Sequence, residues 1–153
     1  MDPRFDLQND LPDAFKAVAG LEAVARKAVG DHTLYELVKL RASTINGCSF
    51  CVDMHSTDLA EHGEDWRRII AVSAWRESAF FTPAERAAFA LTDEVTRLGE
   101  HGVSDETWAD AVEHHGEAGA TNLVVAIATI NVWNRLAVTA HKTAPPLAES
   151  PAA

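Results

Sequence analysis

Residues 34–62 have the sequence LYELVKLRASTINGCSFCVDMHSTDLAEH, and this stretch decides the fold class. Its apolar residues recur at steps of three and four on both sides of Asn46-Gly47, which is the spacing of amphipathic helices. An Asn-Gly pair ends helices and forms turns, so the stretch predicts two antiparallel helices joined by a tight turn. Cys48 begins the second of these helices, and Gly63 should close it.

Helical spacing continues outside this stretch, and no segment shows the sustained period-two alternation of a β-strand. Residues 11–28 carry an apolar stripe that should stop at Gly30, and residues 66–73 fit a short helix. The clearest helix start is the segment 82–85, Thr-Pro-Ala-Glu, which combines a capping box with proline at the first helical position. It predicts a helix that runs to about Leu98.

Two further helices are predicted in the last third of the chain. Ser104 caps the first, which should turn Trp108 and Val112 inward and end at Gly116. The second, roughly residues 121–141, is apolar nearly all round between positions 123 and 130, as expected of a helix at the domain centre or a subunit interface. We therefore predict an all-α fold: one domain of about six to seven helices over residues 1–144, then a flexible tail over residues 145–153.

The composition limits the partners and the location. The length of 153 residues and the hydrophobic fraction of 47% fit one globular domain. A net charge of -10 disfavours nucleic acid, because phosphate binding requires a basic patch. The chain starts without the basic and apolar stretches of a secretion signal, and its most apolar run is less than half of a bilayer span. We expect a cytoplasmic protein without nucleic-acid or membrane partners.

The two cysteines carry the strongest chemical signal. In a reducing compartment a permanent structural disulfide is disfavoured, so catalytic or metal-binding roles come first. Cys48, Cys51 and His55 recur at steps of three and four and share one apolar helix face. Because Cys51 and His55 are one helical turn apart, their side chains can meet.

This placement favours a reactive thiol. Cys48 should lie in the first helical turn, where the helix dipole and the C-x-x-C spacing both lower a thiol pKa. His55 has the reach to accept a thiol proton as a general base. Glu36 lies on the preceding helix, and the helical hairpin can bring its carboxylate beside His55 to fix the tautomer of the imidazole.

Each of these residues also has a simpler explanation. A C-x-x-C pair occurs by chance or as inert core thiols, and a histidine on an apolar face is often a satisfied core residue. Glu36 can pair with Lys39 one turn away, and His62 can be a cation near a helix C-terminus. Taken together, Cys48, Cys51, His55 and Glu36 favour a redox site. His101, His114 and His115 lie in turn-like sequence and receive no role.

The combined pattern is specific: Glu36, eleven residues, Cys48-Ser49-Phe50-Cys51, three residues and then His55, with Ile-Asn-Gly directly before the first cysteine. It resembles the alkylhydroperoxidase D family, which belongs to the carboxymuconolactone decarboxylase-like superfamily. The resemblance is strong from about residue 33 to 75 and extends in helix order beyond.

The resemblance implies an all-α fold that assembles as trimers or hexamers, with the site near subunit contacts. By position, Cys51 is similar to the attacking thiol, Cys48 to the resolving thiol, His55 to the general base and Glu36 to its orienting carboxylate. The implied activity is that of an antioxidant thiol peroxidase acting on a peroxide or disulfide, with no bound cofactor and an external dithiol as reductant. A lipoyl-bearing, thioredoxin-like or peroxiredoxin protein is the implied partner, and reduction of a peroxiredoxin is the alternative activity.

The sequence departs from the family pattern at Phe50. The best-studied members have a histidine directly before the second cysteine, so a relay through that histidine is not expected here. We expect a simpler arrangement of Glu36, His55 and Cys51. The decarboxylases of the superfamily generally lack the cysteine pair, which argues against lactone decarboxylation.

Two alternatives from other classes remain open. Cys48, Cys51 and His55 could bind a metal with His62 or Glu36 as fourth ligand, although ligands along one helix cannot easily surround an ion. The chain could also be a non-catalytic assembly module, with an interface around residues 75–81 that includes Trp75, Phe80 and Phe81. A thioredoxin fold is disfavoured because the C-x-x-C follows a predicted helix and not a strand.

Overall fold

The computed structural model describes residues 2–147, and within this range the chain is all-α, as predicted. Seven α-helices and one short 3-10 helix follow one another: α1 Leu7–Asp10, α2 Pro12–Val29, α3 His32–Asn46, α4 Ser49–Glu61, α5 Trp66–Ala71, the 3-10 helix Val72–Ala74, α6 Pro83–Arg97 and α7 Asp105–Ala140. The tail predicted for residues 145–153 lies outside the described residues from position 148 onward, and residues 145–147 are exposed and non-helical.

Local chemistry sets most helix ends where the sequence predicts them. Thr82 Oγ1 accepts a hydrogen bond from the Glu85 backbone N–H, and the Glu85 carboxylate accepts one from the Thr82 N–H, which confirms the capping box. Ser104 caps α7 through the Thr107 N–H. Gly30 ends α2 at φ 74°, a left-handed conformation that glycine adopts without strain.

The turn between α3 and α4 is held in place by an amide cluster. Gly47 adopts φ 66° after the last residue of α3, so the chain reverses at once. Asn46 donates to the side-chain oxygens of Asn131 and Asn134 at 2.9 and 2.8 Å, and Asn134 donates to Ser43 Oγ at 3.0 Å. These bonds fix the end of α3, from which the turn into α4 starts, against α7.

The long helix α7 is the centre of the bundle and packs against α2, α3 and α6. Its non-helical residue is Gly116, at φ 71° and ψ 164°, where the predicted break occurs. The sequence predicts a non-helical interval between Gly116 and residue 121. This prediction was wrong, because the helix resumes directly after the kink. His114 and His115 are helical and not in a turn, and Trp108 is 39% exposed where the sequence predicts an inward side chain.

A buried ion pair ties α3 to α6 beside the main apolar cluster. Arg41 donates to both carboxylate oxygens of Asp93, at 2.6 and 3.1 Å, and to the carbonyl of Ser73 at 3.0 Å. Such a bidentate pair satisfies both charges away from water. Trp75 and Phe81 are ordinary residues of this core, and of the three aromatic residues considered for an interface only Phe80, at 40% exposed, lies at the surface.

By length and composition, α7 also meets the criteria for a membrane span, with a mean hydropathy of 1.5 in its most apolar window. Half of that window is buried within the bundle, and the central helix of a helical domain passes the same test. The packing of α7 against three other helices accounts for its apolar surface.

Candidate active site

Cys48 and Cys51 lie at the start of α4 and are joined by a disulfide. Cys48 is the N-cap of the helix and not a residue of its first turn, and its sulfur accepts a hydrogen bond from the Cys51 N–H at 3.3 Å. The two residues are 1% and 2% exposed and pack against Ala137 of α7. The helix N-terminus therefore acts directly on the Cys48 sulfur.

His55 and Glu36 form the predicted pair across the α3–α4 hairpin. His55 Nδ1 lies 2.6 Å from Glu36 Oε2, and both residues are almost fully buried. The alternative partner for Glu36, Lys39, instead binds Glu22 on α2. His55 Nε2 is buried and has no hydrogen-bond partner within the described part of the chain.

The electrostatics of this pair favour a neutral imidazole beside a charged carboxylate. Burial lowers the pKa of His55 because it disfavours the imidazolium, and this outweighs the hydrogen bond to Glu36, which acts in the opposite direction. Burial alone would raise the pKa of Glu36, but the hydrogen bond with His55 and the charges of Lys39 and Arg26 hold that pKa below its ordinary value. His55 is thus ready to accept a proton at neutral pH.

A second layer of charges, which the sequence did not predict, surrounds the pair. Lys39 is 3% exposed and pairs with Glu22, which also accepts a hydrogen bond from Tyr35 Oη at 2.6 Å. Arg26 Nη2 lies 3.4 Å from Glu36 Oε1. Burial alone would raise the pKa of Glu22, but the charge of Lys39 together with the hydrogen bonds from Lys39 and Tyr35 holds that pKa below its ordinary value.

A cavity of about 660 Å³ adjoins the site. Cys51, His55 and Glu36 line it, whereas Cys48 is not among its lining residues in the described range. Much of the remaining wall is apolar, from Phe5, Phe15, Met54, Ile130, Trp133 and Leu136. Its size is within the usual range for small-molecule sites.

Residues near the start and near the end of the described range contribute to the wall of this cavity, among them Pro3, Phe5, His141 and Thr143. The backbone N–H of Arg4 donates to the carbonyl of Ala140 at 2.9 Å, which holds the N-terminal segment against the end of α7. Phe15 of α2 contacts Trp133 of α7 edge to face, with ring centroids 5.5 Å apart. The cavity therefore depends on contacts between residues that are distant in sequence.

Phe50 packs against the cysteine pair at the position where the best-studied relatives have histidine. The Lys142 Nζ lies 4.2 Å from the centre of its ring, a cation–π contact. This position offers an apolar surface and no proton donor or acceptor, so the Phe50 side chain cannot take part in a proton relay.

Of the sequence-predicted site residues, the structure brings Cys48, Cys51, His55 and Glu36 together and leaves His62 apart. His62 caps the far end of α4 and is exposed, fourteen residues from Cys48, which corresponds to roughly 20 Å of helix. The alternative metal site with His62 as fourth ligand was therefore wrong. No spacing signal could have revealed Glu22, Lys39 or Arg26, because long-range charge pairs leave no local pattern.

These features define a class: an all-α protein in which a C-x-x-C pair at a helix start lies beside a buried imidazole–carboxylate pair. The chain belongs to the carboxymuconolactone decarboxylase family, whose sequence profile matches residues 12–94, more than half of its length. The resemblance inferred from the sequence is thereby confirmed.

Its relatives agree with this assignment. The uncharacterized protein YdfG of Bacillus subtilis is 35% identical over 90% of this chain and 94% of its own. A crystal structure of a protein of unknown function from Agrobacterium tumefaciens, suggested to be an antioxidant defence protein AhpD, is 38% identical with a TM-score of 0.92, covering 95% of this chain and all of the other.

More distant structures share the fold alone. An uncharacterized peroxidase-related protein from Ralstonia eutropha, described as an alkylhydroperoxidase AhpD core, superposes with a TM-score of 0.76 at 19% identity. The match covers 90% of this chain and 74% of that one. The chain therefore has the AhpD-like fold together with its C-x-x-C pair.

Proposed function

We propose that this protein is a thiol-dependent oxidoreductase that reduces peroxides through Cys48 and Cys51. The observation that carries the proposal is that Cys51 and His55 line one cavity while Glu36 engages Nδ1 of the imidazole. The remaining nitrogen, Nε2, is then the basic one, as a general base requires. Cys51 is the attacking thiol because it lines the cavity, and Cys48 is the resolving thiol behind it.

In the reduced protein His55 takes the proton of the Cys51 thiol, and the thiolate attacks one oxygen of the peroxide. The O–O bond breaks, Cys51 becomes a sulfenic acid, and the departing alkoxide takes the proton from His55 and leaves as an alcohol. The Cys48 thiol then displaces hydroxide from the sulfenic acid, so that the disulfide and one water form. An external dithiol reduces the disulfide and is itself oxidised to a disulfide.

The volume of the cavity bears on the substrate. About 660 Å³ is far more than hydrogen peroxide needs, and the apolar wall suits an organic hydroperoxide or a flexible dithiol arm. The second candidate function, reduction of a partner peroxiredoxin by way of a lipoyl-bearing or thioredoxin-like donor, uses the same cysteine chemistry. We also propose a cytoplasmic homo-oligomer, a trimer or a hexamer, whose mass light scattering would measure.

The test uses two reciprocal variants. After a stoichiometric peroxide challenge, the wild-type chain should lose two titratable thiols. Cys48→Ser should accumulate a sulfenic acid that a dimedone-type reagent traps, because nothing resolves it. Cys51→Ser should form no sulfenic acid and lose turnover.

The same pair of variants can contradict the proposal. Undiminished peroxide turnover by Cys51→Ser would exclude Cys51 as the attacking thiol. Trapping at Cys48 in that variant would reverse the two roles. If both wild-type thiols stay reduced under peroxide but reduce a protein disulfide, the disulfide-reductant function replaces the peroxidase.

A further inference from the structure

A second group of potential ligands lies at the other end of the α3–α4 hairpin. His32 is the first residue of α3, and Asp58 and His62 are at the end of α4. His32 Nε2 lies 3.4 Å from Asp58 Oδ2, and His62 Nδ1 lies 3.5 Å from Asp58 Oδ1. One donor atom from each residue falls within 4.8 Å of the donors of the other two.

The topology explains why these three residues meet. In an antiparallel hairpin the start of α3 faces the end of α4, and Asp58 and His62 are one turn apart on the same helix. The imidazoles of His32 and His62 stack, with centroids 3.8 Å apart and planes inclined by 26°. The ligands thus come from two separate segments, which allows them to approach an ion from different sides.

The spacing of the donors matches a transition metal. Zinc binds imidazole nitrogen and carboxylate oxygen at about 2.0–2.2 Å, so donor atoms at two corners of a tetrahedron are about 3.4 Å apart. The distance of 3.4 Å between His32 Nε2 and Asp58 Oδ2 has this value. Two imidazoles and one carboxylate suit zinc, cobalt, nickel or copper better than magnesium or calcium, which prefer oxygen ligands alone.

The hydrogen bonds around the cluster show which ring nitrogens are available to bind an ion. His62 Nδ1 lies 2.8 Å from the backbone carbonyl of Asp58, which leaves its Nε2 available as a donor atom to an ion. A carbonyl that accepts from one ring nitrogen commonly orients a metal-binding histidine. His32 Nδ1 is buried and has no partner among residues 2–147, so the protein itself does not satisfy this cluster fully.

We propose that His32, Asp58 and His62 form a binding site for one divalent transition ion of the zinc type. The site is distinct from the cysteine pair and needs neither thiol. Asp58 also lines the cavity that His55 lines, so an ion bound here lies at the edge of the proposed substrate site. With three protein ligands, a fourth position remains for water or an anionic group.

The test is a calorimetric titration of the oxidised protein with zinc chloride, after the absence of free thiols has been verified. In this state the cysteines cannot bind the ion. We expect one zinc per chain, and at least tenfold weaker binding in His62→Ala and in Asp58→Asn. Cobalt(II) should give the visible absorption of a four-coordinate nitrogen and oxygen site, and each variant should lose it.

The chain offers a matched control. His114 and Asp110 form a similar pair on α7, four residues apart with 3.6 Å between Nε2 and Oδ1, and within the described range no third ligand residue joins this pair. His114→Ala should therefore leave zinc affinity within twofold of wild type. His62 has a half-exposed side chain, so its replacement should leave the melting temperature of the metal-free protein unchanged.

Three results would overturn the proposal. The first is the absence of zinc binding to the oxidised protein. The second is binding that His62→Ala and Asp58→Asn leave unchanged. The third is binding that His114→Ala weakens as much as they do, which would indicate nonspecific surface histidines. None of these results bears on the cysteine chemistry, so the two proposals fail independently.

Discussion

At the scale of single residues, the two ring nitrogens of His55 have different surroundings. Nδ1 is bound to Glu36 Oε2 at 2.6 Å, which fixes the proton on that nitrogen and leaves Nε2 basic. Lys39 adds a positive charge nearby that opposes protonation of the ring, while Glu36 favours it. The pair therefore combines a defined tautomer with a pKa below the ordinary histidine value.

We predict that Glu36→Gln lowers kcat/KM for peroxide by about 10²–10⁴-fold, the usual contribution of a general base. The amide can donate to Nδ1, which would move the ring proton to Nε2 and remove the basic nitrogen. Initial rates under saturating reductant measure the effect. Asp53→Asn, an exposed change on α4, is the control and should keep wild-type activity. Equal activity of the two variants would contradict the role of Glu36.

The pKa shifts predict how stability depends on pH. Both His55 and Glu36 have folded-state pKa values below their ordinary values of 6.5 and 4.5, so the folded state binds fewer protons than the unfolded chain. Their contributions to the free energy of unfolding are complete at pH values above these ordinary pKa values. The contributions are lost as the pH falls toward and through the lower pKa values of the folded state. The free energy of unfolding should thus decrease below pH 6.5, with a limiting slope of about 1.4 kcal/mol per pH unit for each proton.

Urea unfolding between pH 7.5 and 5 measures this dependence. His55→Gln should flatten the curve below pH 6.5, whereas His101→Gln, an exposed change in a turn, should reproduce the wild-type slope. Identical slopes in wild type and His55→Gln would show that His55 titrates normally.

The sequence predicted that the four candidate residues lie close together because each obeys a local rule. Cys48, Cys51 and His55 share a helix face by spacing, and Glu36 follows from a hairpin whose turn is explicit. Lys39 and Glu22 could not be predicted, because a pair between α2 and α3 depends on how those helices pack. On its own helix the nearest possible partner of Lys39 is Glu36, but Lys39 pairs with Glu22 instead.

At the scale of elements, Gly116 decides the path of α7. Its φ of 71° and ψ of 164° lie in a region that is essentially restricted to glycine. No heavy atom lies within 4 Å of the position that a Cβ would take, so the constraint comes from the backbone itself. The kink lets one chain segment of 36 residues pack on several helices that differ in direction.

Gly116→Ala should therefore destabilise the protein by about 1–3 kcal/mol, the usual cost of such a conformation for other residues. Gly20→Ala is the matched control: it lies in the exposed middle of α2, also has open space at its Cβ, and should stabilise by about 0.5–1 kcal/mol. Chemical denaturation measures both. A neutral or stabilising Gly116→Ala would mean that the helix can straighten without cost.

Helix ends were predictable where a cap or glycine specifies them, as at Gly30, Gly47, Thr82 and Ser104. The short helix α1 was missed, since four residues carry too little periodicity to show a pattern. The helix after Gly116 was predicted to start too late, because residues 117–120, Glu-Ala-Gly-Ala, contain a second glycine and no large apolar side chain that would mark a helical stripe.

At the scale of the whole molecule, the cavity depends on residues near both ends of the described range. The N-terminal segment is held by the Arg4–Ala140 hydrogen bond, and the opposite wall comes from α7. The sequence predicted that Cys51 and His55 lie close together but not the cavity that they line, since its walls form only when α2, α4 and α7 pack together. The access of a substrate to Cys51 is therefore a property of the tertiary structure.

Access through this cavity can be tested at Met54, which lines it and is 43% exposed. We predict that Met54→Trp narrows the path and lowers kcat/KM at least tenfold for a bulky aromatic hydroperoxide, but less than threefold for hydrogen peroxide. Hydrogen peroxide is small enough to pass the indole of the new tryptophan, whereas a bulky hydroperoxide is blocked by it. The ratio of kcat/KM for the two peroxides therefore measures access to Cys51 and not the chemical step.

Met54→Leu, which nearly conserves volume, should keep the wild-type ratio. If Met54→Trp slowed both peroxides equally, the indole would disturb the reacting groups themselves. If it slowed neither, peroxide would reach Cys51 by another path. Both peroxides react with the same thiol, so a change only in the ratio of their kcat/KM values would reflect access to Cys51. It would show that the apolar wall between the N-terminal segment and α7 determines the proposed preference for organic hydroperoxides.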